Sequence, residues 1–464
     1  VAVPTDSIRT GDARPVDAVA EQPGSTDEPI AGEAAAHSAR RHGRLAWMDA
    51  LRGIAALLVV YTHWGPVGVP EIYRVSSRWL VAGNAGVLLF FLISGFIVPA
   101  SLERKGSVRT FWVSRIFRLY PLWITALIAV AALDAIRGNY LGPYYANHWK
   151  LVLAAEATML QELIRVPSVI NVMWTLSFEM VFYFLIVALF TLRQQHRSAE
   201  ISVGLVLCSL IGGFGVIPYS LLQNTFGAKA VTAAVAVPFV VGLALSMSGR
   251  RPLVITGAVL LAVTGTVLLL VNQEGGVWWG FLLPATMFAG TALFRHGSGE
   301  TGRVRPAVAV LVLAVGGTTS LLLHRVPDLP LRSQLAANRT YLISFALAGG
   351  LFALGYALRR HPFPRVLTWL GLVSYSTYLL HPIVEGALLP YLHRASPLAV
   401  RVAVLIGWLA VLIVTAALTY RFVELPFQRW GKLLAKSLDR RFGSDASASR
   451  ISGRPAGQPD ESVR

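Results

Sequence analysis

Long apolar runs broken by short polar loops dominate the chain. Runs able to cross about 30 Å of hydrocarbon fall near 46–64, 83–102, 112–133, 170–192, 201–221, 229–248, 253–271, 277–294, 306–323, 340–358, 366–389 and 399–421. Hydrocarbon leaves no water for backbone groups, so such runs must be helical. The pattern predicts an all-α polytopic membrane bundle of about 10–12 transmembrane helices, with 277–294 short enough to be re-entrant. Residues 1–44 and 431–464 lack apolar runs and are expected to be disordered cytoplasmic tails around a transmembrane domain at 45–430. No signal-peptide core is visible in the first tail. The long connection at 134–169 holds Tyr140, Tyr144 and Tyr145, and its second half reads as a helix lying in the outer interface.

Composition agrees. Of 464 residues, 55% are hydrophobic and only 14% charged, against about 25% charged in soluble domains. The +17 net charge does not mean nucleic acid, because the bases sit in short loops between spans. Loops after even-numbered spans carry about fifteen Lys/Arg in about 48 residues; the opposite loops carry about eleven in about 96. Both termini are therefore expected in the cytoplasm of a multi-pass protein of a bacterial cell membrane, the bacterial origin resting on Arg, Ala, Val and Gly usage. Cys208 is the only cysteine, which excludes an intrachain disulfide and a Cys-rich metal site. No metal site and no bound cofactor are expected.

Polar groups inside apolar spans are costly, about 2.5–3.5 kcal/mol for Arg at a helix centre, and so are functional candidates. Arg52 and His63 share the first span. Eleven residues make about three turns plus 20°, so both face one side, roughly 16 Å apart along the axis. The second span holds Phe90-Phe91-Leu-Ile-Ser94-Gly95-Phe96, where small residues also suit close helix packing. Arg115 and Arg118, at i and i+3, present two guanidinium groups on one helix face, as a phosphate-rich ligand requires, or as ordinary interfacial anchors. Trp174 precedes Glu179, a carboxylate that needs an Arg or His partner or must stay protonated. Ser374, Tyr378 and His381 share a face of the eleventh span beside Tyr375, and Pro382 frees backbone groups near His381. Arg421 and Glu424 before Pro426 read as a structural interfacial pair. No phosphate-loop, HExxH or GxSxG motif is present.

Taken together, these motifs resemble the membrane acyltransferase-3 family, the O-antigen acetylase-like proteins. The matching stretches are Arg52 through His63, Phe90 to Phe96, Arg115 to Pro121, Trp174 to Glu179 with Phe182-Tyr183, Ser374 to His381, and Glu424-Leu-Pro426, in order over about 46–430. The family has about ten core spans, and the chain looks like its stand-alone form, without a C-terminal hydrolase-like domain. The resemblance implies transfer of an acyl group, acetyl first, from cytoplasmic acyl-CoA as co-substrate to a hydroxyl of a carbohydrate, glycolipid or macrolide. In that reading His63 is general base or forms an acyl-imidazole, Arg52 and Glu179 complete the catalytic set, and Arg115, Arg118 and Ser94 bind the donor. Tyr375, Tyr378, His381 and Trp174 line the acyl or acceptor path. The partners expected are this donor, this acceptor and the bilayer. The alternative is a proton-coupled transporter or flippase using Glu179 and the histidines.

Overall fold

The computed structural model describes residues 28–138, 140–214, 217–273, 277–324, 330–388 and 397–442. Among them the chain is helical, with no strand. It divides into two units, Val1–Leu45 and Ala46–Arg464. Residues 1–27 and 443–464, where most of the expected tails fall, lie outside the described residues. The described parts of both tails, 28–44 and 431–442, are helical.

The helices are α1 (Glu28–Gly68), α2 (Pro70–Ser77), α3 (Ala82–Lys105), α4 (Val108–Arg137), α5 (Pro143–Ala157), α6 (Gln161–Ile164), α7 (Trp174–Thr191), α8 (Ser198–Gly213) and α9 (Leu221–Ser246). They continue as α10 (Arg251–Val271), α11 (Val277–Gly297), α12 (Val304–Leu323), α13 (Leu331–Ala357), α14 (Arg365–Leu372), α15 (Ser374–Leu388), α16 (Leu398–Thr419) and α17 (Leu425–Phe442). The result is an all-α polytopic bundle.

Among the described residues, eight stretches of helix are long and apolar enough to cross a membrane, fewer than the twelve apolar runs. Three of the remaining runs differ for physical reasons. In α1 the polar Asp49, Arg52, Tyr61 and His63 dilute the apolar content. α8 has 16 residues. Within α11, which holds the 277–294 run, protein buries Phe281, Leu282, Leu283, Met287 and Phe288. The 366–389 run is two helices, because α1 crosses so closely that a Cβ on Gly371 would overlap the carbonyl of Asp49. Ser374 Oγ donates to the freed Gly371 carbonyl at 2.8 Å.

Short-range chemistry sets the helices that matter most. Gly106, at φ +65°, ends α3 in the left-handed conformation that glycine adopts without strain. Ser107 caps α4 by accepting from the Thr110 N–H at 3.2 Å. This one-turn reversal sets the arginines of α4 beside α3. At Gly95 a Cβ would overlap the Met287 carbonyl, so glycine lets α3 and α11 touch. Thr291 Oγ1 then donates to the Gly95 carbonyl at 2.8 Å.

Candidate active site

Five helices meet around a cavity of about 80 Å³. α1 contributes Arg52, α3 Phe90 and Ser94, α4 Arg115 and Arg118, α7 Thr175, Glu179 and Tyr183, and α15 Ser374, Tyr375 and Tyr378. Seven of the ten site residues expected from sequence therefore converge: Arg52, Ser94, Arg115, Arg118, Glu179, Tyr375 and Tyr378.

Glu179 is held by hydroxyls, where the sequence pointed to an Arg or His. Tyr183 OH donates to its Oε1 at 2.5 Å and Ser94 Oγ donates to the same oxygen at 3.2 Å. Arg115 Nη1 in turn donates to Tyr183 OH at 3.4 Å, and its guanidinium lies 5.2 and 5.0 Å from the Phe111 and Tyr183 ring centres. Tyr183 thus links the α4 cation to the α7 carboxylate. This suits a buried pair, because each charge keeps a hydrogen-bonding partner without the two collapsing together. Arg52 is nearest in charge to Asp49 one turn back, at 3.7 Å.

The tyrosines of α15 are locked. Tyr375 OH donates to the Leu119 carbonyl of α4 at 3.0 Å. Tyr378 OH donates to the Val172 carbonyl at 2.8 Å and lies 2.9 Å from Thr175 Oγ1. Its ring meets Phe90 edge to face at 5.7 Å. Below these, Ser376 Oγ donates to Glu424 Oε1, and Thr419 Oγ1 donates to Ser376 Oγ at 3.0 Å. Glu424 is buried in a π-helical turn at Tyr420–Glu424, with Arg421 exposed. The carboxylate braces α15 from inside the fold, so it is not paired with Arg421 at an interface.

His63, His381 and Trp174 do not line the cavity. His63, half-buried, faces His381 of α15 with ring centres 4.9 Å apart. His381 lies one turn beyond Tyr378, with ring centres 6.0 Å apart. The His381 ring is fully buried and makes no hydrogen bond of normal geometry among the described residues; the carbonyls of Thr377 and Tyr378 lie close by. Pro382 has no N–H to offer the Tyr378 carbonyl, four residues back. The long rise between Arg52 and His63 explains the separation: Arg52 reaches the cavity while His63 meets α15 past its aromatic end. Trp174 packs on Phe178 at 5.9 Å. Its neighbour Thr175 takes the place expected of it, being one helical turn before Glu179. Tyr183, one turn after Glu179, was legible by the same i, i+4 spacing.

Outside the spans, a carboxylate orders the entry to α7. Glu156 of α5 accepts from the Val169 N–H at 2.6 Å, Ser168 Oγ at 2.9 Å and Trp123 Nε1 at 3.1 Å. Its burial pushes the carboxyl above the usual range, against the lowering effect of these bonds.

A multi-pass membrane bundle with ionisable groups gathered in one internal chamber is the class that fold and site define. The chain belongs to the family described as an acyltransferase domain, whose profile matches residues 45–422. Among known proteins it is 26% identical over 197 residues to a Bacillus subtilis protein named as a peptidoglycan O-acetyltransferase, covering 38% of this chain and 29% of that one. It is 25% identical over 184 residues to a Staphylococcus aureus protein named as an O-acetyltransferase, covering 35% and 28%. Nodulation protein 10 of Rhizobium leguminosarum bv. viciae is 28% identical over 171 residues, covering 32% and 46%. The matched segments thus cover less than half of each of these relatives. No solved structure matches the chain.

Proposed function

We propose that the protein is an integral-membrane O-acyltransferase using acyl-CoA, acetyl-CoA first, and a hydroxyl of an envelope carbohydrate, glycolipid or macrolide. The observation that carries this reading is the meeting of Arg52, Arg115 and Arg118 with Glu179 and Tyr183 in one chamber. Three guanidinium groups and one carboxylate suit a polyphosphate, for which Arg offers planar, paired donors. The donor's phosphates bind at this end, which faces the cytoplasm in the orientation given by the loop charges. Its thioester arm extends past the Phe90–Tyr378 contact towards His63.

His63 removes the acceptor's hydroxyl proton and the oxygen attacks the thioester carbonyl. The carbon–sulfur bond breaks as the new ester forms, and the CoA thiolate takes up a proton. A neutral imidazole can take the hydroxyl proton and pass it to the departing thiolate. His381 sets the ring of His63, and Glu179, through Tyr183, orients Arg115. Two relatives bear names for O-acetyl transfer, one of them to peptidoglycan. Cell-wall glycan is accordingly the acceptor to try first.

The test is purified full chain in lipid nanodiscs with radiolabelled acetyl-CoA and glycan fragments. Release of free CoA with label on the glycan is expected. Substrate movement in sealed vesicles with no CoA release would instead assign the site to transport and end the enzymatic reading.

A further inference from the structure

α16 and α17 run on through 44 residues from Leu398 to Arg441, about 66 Å of helix, against a hydrocarbon layer of about 30 Å. α16 alone, with 22 residues, already reaches about 33 Å. α17 therefore lies beyond the span. It runs antiparallel to the opening of α4: Gly431 packs on the Phe117 ring, while Asp439 meets Arg109 at 3.7 Å and accepts from Thr110 Oγ1 at 3.1 Å. Arg109 also donates to the Met247 carbonyl at 2.9 Å. The helix is thus fixed behind the part of α4 that bears Arg115 and Arg118.

Its circumference has three sectors. Gly431, Ala435 and Leu438 turn towards α4. Trp430, Leu433 and Leu434 are 56%, 64% and 40% exposed, and at about 100° per residue they fall within about 100° of one another, a sector that exposed Ser437 and Arg441 join nearer the end of the helix. Arg429, Lys432, Lys436 and Arg440, all exposed, fall within about 80° beside that apolar sector. The one acidic side chain of the helix, Asp439, is engaged with α4. Exposed Trp and Leu flanked by a basic stripe are the features of a helix lying at headgroup depth, apolar face among the upper acyl carbons and cations at the phosphates. Four cations in one stripe with no carboxylate among them match an anionic surface.

We infer that α17 is a docking surface for anionic lipid headgroups, seating the α4 arginines against the bilayer. This does not depend on the acyltransfer reading. Each base near an acidic leaflet strengthens docking roughly fivefold.

The experiment uses the full chain with Cys208→Ser and Leu433→Cys carrying an environment-sensitive fluorophore, in nanodiscs of phosphatidylcholine with or without phosphatidylglycerol. With phosphatidylglycerol, emission shifts to the blue, quenchers placed at headgroup depth reach the label, and high salt reverses both. Lys432→Gln, Lys436→Gln and Arg440→Gln together lower the docked-to-free ratio on the order of a hundredfold. A label equally wet in both lipids overturns the inference, as does one equally buried in both and indifferent to salt and to the triple variant. Disulfide cross-linking between two copies through Leu433→Cys in native membranes would also overturn it, assigning the face to self-association.

Discussion

α3 and α7 bury 72% and 78% of their apolar stretches inside the protein, whereas α9 and α13 bury 28% each. All four are apolar enough to span a membrane. The enclosed pair supplies Ser94, Glu179 and Tyr183 to the chamber; the peripheral pair supplies no lining residue. Apolarity alone gets a helix into the bilayer, while a charge at that depth also needs neighbouring helices to satisfy it. The carboxylate side of the site is therefore found where protein, rather than lipid, surrounds the helix, while α4, 33% buried, brings its arginines in from the periphery.

The largest effect that sharpens this contrast is on turnover. Replacing His63→Ala should lower acyl transfer about 10²–10⁴-fold with the protein still monodisperse in detergent, read as CoA release. Wild-type turnover would remove His63 from the chemistry. Tyr183→Phe deletes the hydroxyl between Arg115 and Glu179, and losing a hydrogen bond to a charged group costs about 1.5–3 kcal/mol. Transfer should fall roughly 10- to 150-fold. An equal loss in the double variant Tyr183→Phe with Glu179→Gln would show that the two act as one unit.

Stability should separate the two regions too. Gly95→Ala, where a Cβ overlaps α11, should destabilise by about 1–3 kcal/mol in a denaturation midpoint. Gly350→Ala in α13, with open space around it, should be neutral or stabilise by up to about 1 kcal/mol. Equal losses at both positions would break the comparison.

The smallest effect is at the rim. Arg401 Nη2 donates to both carboxyl oxygens of Glu71 at 2.9 and 3.0 Å, and this bond holds the Glu71 carboxyl below the usual range. The resulting stability is present above the unfolded-state pKa and is lost as pH falls through the folded-state value. Glu71→Gln should flatten the small drop in melting temperature on acidification; an unchanged slope would remove the pair as its source.

Much of the site was legible because helical spacing is a strong rule. Arg52, Ser94, Arg115, Arg118, Glu179, Tyr375 and Tyr378 are polar groups that an apolar helix tolerates only when they face protein, and all of them line the chamber. What misled is equally physical. Hydropathy read 366–389 as one span, although backbone contact at Gly371 breaks it. Glu179 was expected to meet a cation, yet the nearest donors are hydroxyls. Trp174 was given a place in the path that Thr175 takes.

By itself the sequence determined the all-α membrane architecture and which side chains lipid would reject, because burying a charge or an unpaired backbone group in hydrocarbon is costly wherever it happens. Only the tertiary structure decided which of those groups meet. The Tyr183 link between Arg115 and Glu179, the facing rings of His63 and His381, and the wall of Phe90 and Tyr378 join residues from different helices. Helix spacing carries no information about partners across such a gap.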